Sequence, residues 1–354
     1  MLNLDNLREQ FSEAIRQAIA RRRPIRIRGS GSKDFYGGAA QGEILDTTAY
    51  QGIVDYAPEE LVITARAGTP LVEIEAALAV HGQMLPFEPP HFGPRATLGG
   101  CVAAGLSGPR RASSGAVRDF VLGVQILDGH ADRLRFGGQV MKNVAGYDVS
   151  RLMAGSLGTL GLILEVSLKV LPRPKAEATL QFECDEAQAL ELMNRWAGEP
   201  LPISATCYHD HVLTLRLSGA TTAVQAAQAK LGGQGLAAGE EFWRGIREQS
   251  ANFFRSDAPL WRLSLPSTAA LNLPGKQLIE WGGALRWVFS EAEPNVVRAA
   301  AEQVQGQATM FRGTSKPRSV FHPLSMPLMA IHRRIKRAFD PHGIFNLGRM
   351  YSDF

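Results

Sequence analysis

Cysteine is scarce in this chain and forms no pattern. Cys101, Cys184 and Cys207 are scattered through 354 residues with no CxxC among them. That excludes an iron–sulfur cluster built from this chain alone, which normally takes four thiolates. The odd count and wide gaps fit reduced thiols in a cytoplasmic protein. Long apolar runs are missing too. No window of about 18 residues is apolar and free of charge, so no membrane-spanning helix is expected. A targeting core is also absent: Leu4, Leu7, Phe11, Ile15, Ala18 and Ile19 recur at helical spacing instead. Charge is modest, with 20% charged residues and a formal net charge of +4. Such an excess suits a phosphate-bearing cofactor or an anionic partner, and is too small and dispersed for nucleic acid. Two common nucleotide signatures fail. Gly29-Ser30-Gly31-Ser32-Lys33-Asp34 has Asp where GxGxxG needs its third glycine, and Gly275-Lys276 is followed by Gln277 rather than Ser or Thr.

What the chain does have is glycine in ordered clusters. Gly155, Gly158 and Gly161 recur every three residues, with Ser156 and Thr159 between them, and run into a strand-like apolar stretch over 162–170. Glycine lets the backbone approach a ligand closely and adopt positive φ. Gly29-Ser30-Gly31-Ser32, Thr97-Leu98-Gly99-Gly100 and Ser107-Gly108 lie upstream. Together they describe loops against which an extended anionic cofactor can lie on main-chain N–H groups. The plain alternative for Gly29 and Gly31 is a turn between two strands.

Periodicity predicts a helix over 3–20, strands over 25–28, 44–46 and 61–67, and a helix over 70–81. Thr69 would be the N-cap of that last helix and Gly82 its stop. Proline keeps 86–90 irregular. A short helix follows at 97–105, then a strand at 119–127, a hairpin signal at Asp128-Gly129 and a returning strand at 131–136. Pro172-Arg173-Pro174 marks a boundary. Beyond it, a strand at 179–183, a helix at 185–197, paired strands at 203–208 and 212–217, and a helix at 221–231 make a small α+β unit. Residues 232–235 read as a turn. Strands at 261–265 and 284–289 with a helix at 294–304 suggest a second such unit, an internal pseudo-repeat. A last helix covers 324–339 and stops at Asp340-Pro341-His342-Gly343. The expected division is 1–173, 174–315 and 316–354.

The ordered loops, with Ala67-Gly68-Thr69-Pro70-Leu71, 115–123, Lys142-Asn143-Val144-Ala145-Gly146-Tyr147-Asp148 and Gly155-Ser156-Leu157-Gly158-Thr159-Leu160-Gly161, resemble the vanillyl-alcohol-oxidase or PCMH-type FAD-binding family over roughly residues 5–173. The motif at 142–161, together with the ending Phe339-Asp340-Pro341-His342-Gly343-Ile344-Phe345-Asn346-Leu347-Gly348-Arg349, looks more narrowly like the E subunits of bacterial glycolate oxidases. Leu347 stands where relatives usually have proline.

The resemblance implies an α+β fold: a two-lobed FAD-binding domain, a smaller α+β cap, and a C-terminal tail returning to the flavin domain. It implies that FAD is held by Arg28, Gly29, Ser30, Gly31, Ser32, Thr97, Leu98, Gly99, Gly100, Ser107, Gly108, Gly115, Asp119, Gly158, Thr159, Gly161, Leu162, Ile163 and Asn346. Attachment would be non-covalent, because Ser30 and Ser32 stand where covalent members carry histidine. The implied reaction is oxidation of a short 2-hydroxy acid. Partners would be a sister FAD subunit and an iron–sulfur subunit, with electrons passing on to quinone. The implied location is cytoplasmic, or peripheral on the inner membrane through those partners. An alternative is an assembly or electron-relay subunit whose sister performs the hydride transfer.

The residues leave the catalytic base open among Tyr147, His322 and His332, and the substrate-carboxylate anchor between Arg349 and Arg110. His209-Asp210-His211 reads as a hairpin tip rather than a metal site, and no metal is expected. Trp243, Trp261, Trp281 and Trp287 read as core and interface residues.

Overall fold

The computed structural model describes residues 4–138, 148–313 and 319–352. The first part runs α1 (Leu4–Arg21), β1 (Ile25–Arg28), β2 (Glu43–Asp46), β3 (Ile53–Ala57), β4 (Val62–Arg66), α2 (Leu71–Val80) and β5 (Gln83–Met84). It continues through α3 (Leu98–Ala104), α4 (Arg111–Ser114), α5 (Val117–Phe120), β6 (Val121–Leu127), β7 (Arg133–Gly137), α6 (Val149–Leu152), β8 (Leu162–Lys169) and β9 (Leu171–Pro172). Five of these strands form an antiparallel sheet ordered β3-β4-β8-β6-β7.

The apolar run after the glycine loop at 155–161 becomes β8, at the centre of that sheet. Such a run needs cover on both faces, and it has it. Ile163, Val166 and Leu168 join the cluster around α2 and α3. Leu162 and Leu164 join Phe11 and Ile15 of α1 and Ile344 and Phe345 of the tail. A smaller lobe is the parallel pair β1–β2, beside which the tail adds a bridge from Phe345 to Ile25.

The second part runs β10 (Ala176–Glu183), α7 (Glu186–Ala197), β11 (Ile203–His209), β12 (Val212–Gly219), α8 (Thr221–Leu231), β13 (Gln234–Gly235) and α9 (Gly239–Arg247). It then runs β14 (Leu260–Ser264), β15 (Lys276–Glu280), β16 (Leu285–Phe289), α10 (Pro294–Gln303) and β17 (Gln307–Arg312), and α11 (Met326–Phe339) leads to the tail. One eight-stranded sheet holds all the strands of this part, ordered β13-β10-β12-β11-β15-β16-β14-β17. The order of its first half, β13-β10-β12-β11, is mirrored by β17-β14-β16-β15 in the second. The pseudo-repeat is therefore present, although the second copy has a loop where the first has α7. The two copies meet along β11 and β15, where Cys207 faces Glu280 and Tyr208 faces Ile279.

Three local expectations change. Thr69 does not cap α2; its hydroxyl accepts from Gly52 N at 2.9 Å and donates to Gly52 O at 3.2 Å. The strand expected from 119 begins at Val121, because Asp119 accepts from Ala116 N at 2.8 Å and holds a helical turn there. Strands β3, β15 and β17 and the helix α9 are additions. The motif at 142–147, and Tyr147 with it, lies outside the described residues.

Candidate active site

Three of the glycine loops, at 29–32, 97–100 and 155–161, meet at one groove. Thr97 caps α3, its Oγ1 accepting from Gly100 N, and Gly29 packs on that same hydroxyl. A Cβ at Gly29 would lie 2.4 Å from Thr97 Oγ1, so only glycine permits the two loops to touch. At the other end of α3, Gly105 is left-handed and packs on Gly155. Gly155 N donates to Val102 O at 3.0 Å and Leu157 N to Ala103 O at 2.8 Å. This seats the 155–161 loop against the helix.

The tail closes the assembly. Asn346 accepts from Ile27 N at 2.7 Å and donates to Leu157 O at 2.6 Å. A Cβ at Gly158 would meet the Asn346 amide at 2.6 Å. Arg349 donates to the carbonyls of Lys33 (2.8 Å), Asp34 and Gly38 (3.0 Å each). The groove is basic: Arg26, Arg28, Lys33 and Arg349 line it, with Asp34 bridging Arg26 and Arg28 at 2.8 Å each. Among the described residues the amides of Ser30 and Gly31 make no hydrogen bond. Small residues, free main-chain donors and excess positive charge fit the diphosphate of an extended cofactor.

Of the expected cofactor residues, Arg28, Gly29, Ser30, Gly31, Ser32, Thr97, Gly100 and Asn346 line this groove. Ser107 and Gly108 line a second cavity further along the same chain segment, facing the cap. Gly115 and Asp119 pack on each other behind it, where Val117 N donates to Ser107 Oγ at 3.1 Å. Gly99 lies against Ala67, Thr159 offers its carbonyl to Lys336, and Gly161 lies against Leu127 O. For Leu98, Leu162 and Ile163 the side chains sit in the core, because strand and helix packing claims them first.

The catalytic candidates need correction. His322 accepts from Ala308 N at 3.3 Å and lies 3.3 Å from Glu302, so it supports β17 at the far edge of the cap sheet. Burial pushes its pKa down. His332 lies on α11 beside Tyr351 and lines neither cavity. Arg349 is committed to three carbonyls and latches the tail. Arg110 is buried between Glu88 and Glu177, so neither arginine is free for a substrate carboxylate. His209 forms a hairpin end, with Asp210 and His211 both left-handed, and its Nδ1 lies 3.0 Å from Gln277 O.

The cavity beside Ser107 and Gly108 brings in Glu280 and Arg262, which no motif in the sequence singles out. Trp281 Nε1 donates to Gly108 O at 3.1 Å and ties the cap to that loop. Glu280 lines the cavity at 4% exposure, its Oε1 accepting from Trp287 Nε1 at 2.7 Å. Burial pushes its carboxyl up to about 7, with the Trp287 hydrogen bond and Arg262 acting the other way. Arg262 lines the same cavity. The one available signal was an acid inside an apolar strand, Leu278-Ile279-Glu280-Trp281.

Residues 7–137 match a family model described as FAD binding domain. The chain is 51% identical to glycolate oxidase subunit GlcE of Escherichia coli over 354 residues, covering all of both chains. It is 31% identical to glycolate oxidase subunit GlcD of Bacillus subtilis over 199 residues, 55% of this chain and 42% of that one. A solved structure of alkyldihydroxyacetonephosphate synthase superposes with a TM-score of 0.67 over 96% of this chain and 74% of its own, at 15% identity. That likeness speaks for the fold alone. Among the described residues no helix is long and apolar enough to cross a membrane.

Proposed function

The chain belongs to the GlcE family of glycolate oxidase subunits, and from that premise we propose that it is an FAD-dependent dehydrogenase subunit oxidising glycolate or a similar short 2-hydroxy acid to the 2-oxo acid. The observation that carries this reading is that one chain segment borders two sites in succession. A basic, glycine-lined groove is bordered by Gly100, Ala103 and Ala104 of α3, and the 106–109 segment that follows borders a cavity with a buried carboxylate and a guanidinium.

FAD is the cofactor of the family model that the chain matches, and when bound it supplies a two-electron acceptor for the hydride on C2. Gly29, Ser30, Gly31, Thr97 and Gly100 would take its diphosphate, with Arg28 and Lys33 supplying charge. Ser107 and Gly108 would carry it toward the cap. The chain's own part is to orient the hydroxy acid, exclude water between flavin domain and cap, and accept the hydroxyl proton. In this reading residues 1–173 are the flavin domain, 174–315 the cap and 316–354 the returning tail.

Electrons would leave through a sister FAD subunit and an iron–sulfur subunit toward quinone, and any membrane contact would come through those partners. The relatives, glycolate oxidase subunits GlcE and GlcD, support a multi-subunit complex by name.

The test is the visible spectrum of the purified FAD-loaded chain before and after anaerobic glycolate. Bleaching of the flavin bands is the expected result. Bands that stay unchanged would move hydride transfer to a sister subunit and leave this chain a relay. No bands after FAD addition would sink the flavoprotein reading itself.

A further inference from the structure

Two guanidinium groups stack on the ring of Trp281. Arg111 lies 4.4 Å from its centroid and Arg262 lies 5.3 Å. Among the described residues neither has a hydrogen-bonded or ion-paired partner. Most other buried or half-buried arginines here are paired, as Arg110 and Arg216 are to Glu88 and Arg286 is to Glu186. Burial and the neighbouring Arg262 charge push the Arg111 pKa down, Asp119 acts the other way, and Glu280 is the acid that faces Arg262; a bound anion would relieve the repulsion between the two guanidinium groups.

Trp281 itself is held at φ +55, a conformation a bulky residue rarely adopts and one that concentrates at functional positions. It is fixed by its bond to Gly108. Immediately before it stands Glu280, at the seam where the two copies of the cap repeat meet. Facing Glu280 are Trp287 of β16, Arg262 of β14, Arg216 of β12, Cys207 of β11 and Glu88 of the flavin side. Glu280 and Arg262 both border the cavity that Ser107, Gly108 and Pro109 close from the flavin side.

We propose that Glu280 is the general base of this site and that Arg262 anchors the substrate carboxylate. The assignment rests on the 2-hydroxy-acid reading above. The carboxylate of a hydroxy acid would meet Arg262, with Arg111 adding charge. Its hydroxyl would then meet Glu280. The O–H bond breaks and its proton goes to the Glu280 carboxylate. The C2–H bond breaks and its hydrogen leaves with both electrons to oxidised FAD, while C2 and oxygen form the carbonyl. Glu280 afterwards returns its proton to solvent. A carboxyl titrating near neutrality is suited to that work, since a base is most effective when its pKa lies near the working pH.

The test uses the FAD-loaded full-length chain as wild type, E280Q, E280D and R262Q. FAD content and thermal midpoint serve as folding controls, and the amide of E280Q can still accept from Trp287. Anaerobic reduction by glycolate is followed from about pH 5.5 to about pH 8.5, around the neutral range where such a base works. Oxalate, which resembles the substrate but cannot be oxidised this way, is titrated separately by its perturbation of the oxidised flavin spectrum.

E280Q should slow reduction by about 100-fold or more and lose the rise through neutrality. E280D should keep that rise, and oxalate should bind E280Q no more weakly than wild type. R262Q should weaken oxalate by about tenfold or more. Reduction of E280Q at the wild-type rate, with the wild-type pH profile, overturns the base. Unchanged oxalate affinity in R262Q overturns the anchor. If glycolate leaves the wild-type flavin oxidised, the oxidation reading fails and the base with it, and the oxalate titration alone then decides the anchor.

Discussion

Glu88 and Arg216 form a two-pronged pair across the boundary between the flavin side and the cap. Arg216 Nη1 lies 2.9 Å from Glu88 Oε1, and Nη2 donates to Oε2 at 2.9 Å. Arg110 adds its backbone N–H and its Nε to the same carboxylate. Burial pushes the Glu88 carboxyl up, and the charge and hydrogen bonds of Arg216 and Arg110 more than offset this, so its pKa lies below the usual range.

Removing Glu88 leaves Arg216 buried with no carboxylate partner and Arg110 with Glu177 alone. E88A should destabilise the chain by about 3–5 kcal/mol, read as a lower midpoint in urea unfolding. Replacing Glu88 and Arg216 together should cost less than the sum of the two single changes. Strict additivity would show that the pair does not join the two parts.

The two buried glutamates give opposite pH responses. Glu88, with its pKa depressed, contributes stability present above its unfolded value near 4.5 and lost as pH falls through its folded value. Glu280, raised from 4.5 to about 7, contributes stability that is full below 4.5 and lost as pH rises through about 7. That loss is at most about 3 kcal/mol. Urea unfolding at stepped pH should therefore show E280Q flatter than wild type between 4.5 and 7. An identical slope in the two proteins would mean that the carboxyl is not buried in solution.

Gly29 can be tested by one methyl group. The clash with Thr97 Oγ1 at 2.4 Å must be relieved by moving one of the two loops that would hold FAD. G29A should weaken FAD binding by about tenfold or more, at about 1–3 kcal/mol of strain. Removing the obstructing hydroxyl in G29A/T97A should restore part of the affinity, as read by titration of the apoprotein with FAD.

Asn346 satisfies Ile27 N and Leu157 O at once. N346A leaves both unpaired in a buried place and should cost about 3 kcal/mol. Retention of FAD through gel filtration should fall in parallel. A variant that is less stable yet keeps its flavin would separate the latch from the groove.

The first loop offers only serines to the flavin. Acid precipitation of the FAD-loaded chain should accordingly release the yellow colour to the supernatant. Colour held in the pellet would point to a covalent bond from a residue elsewhere.

The elements legible in the sequence are those whose pattern is local. β8 and β6 are apolar runs flanked by turn residues, and α7 and α10 show clear periodicity with a capping box or a proline at the start. β3 was missed because it is an edge strand, largely exposed, with Asp55 inside it. β15 and β17 were missed because each is short and mixes charge with apolar residues. α9 begins at one glycine and contains another, which reads as a loop, yet Gly239 is there because a Cβ would strike Thr179.

The groove followed from glycine spacing, since close backbone approach is written into the residue type. Glu280, Arg262 and Arg111 were not legible in the same way. They come together only when the cap sheet folds over the 105–109 segment, and no spacing in the chain records that meeting. Arg110 and Arg111 are neighbours in sequence, but only the fold shows which of them is already paired.

The Phe345 bridge to Ile25 and the Asn346 contacts to Ile27 and Leu157 have a consequence for the order of synthesis. Made on a ribosome, the first strand and every glycine loop emerge long before the segment that ties them together. The earliest-made lobe must wait, through translation of the whole cap, for its closing piece. Nascent chains halted before residue 344 should therefore fail to retain flavin, however complete their sheets, and loading of the cofactor would be a late event in the protein's life.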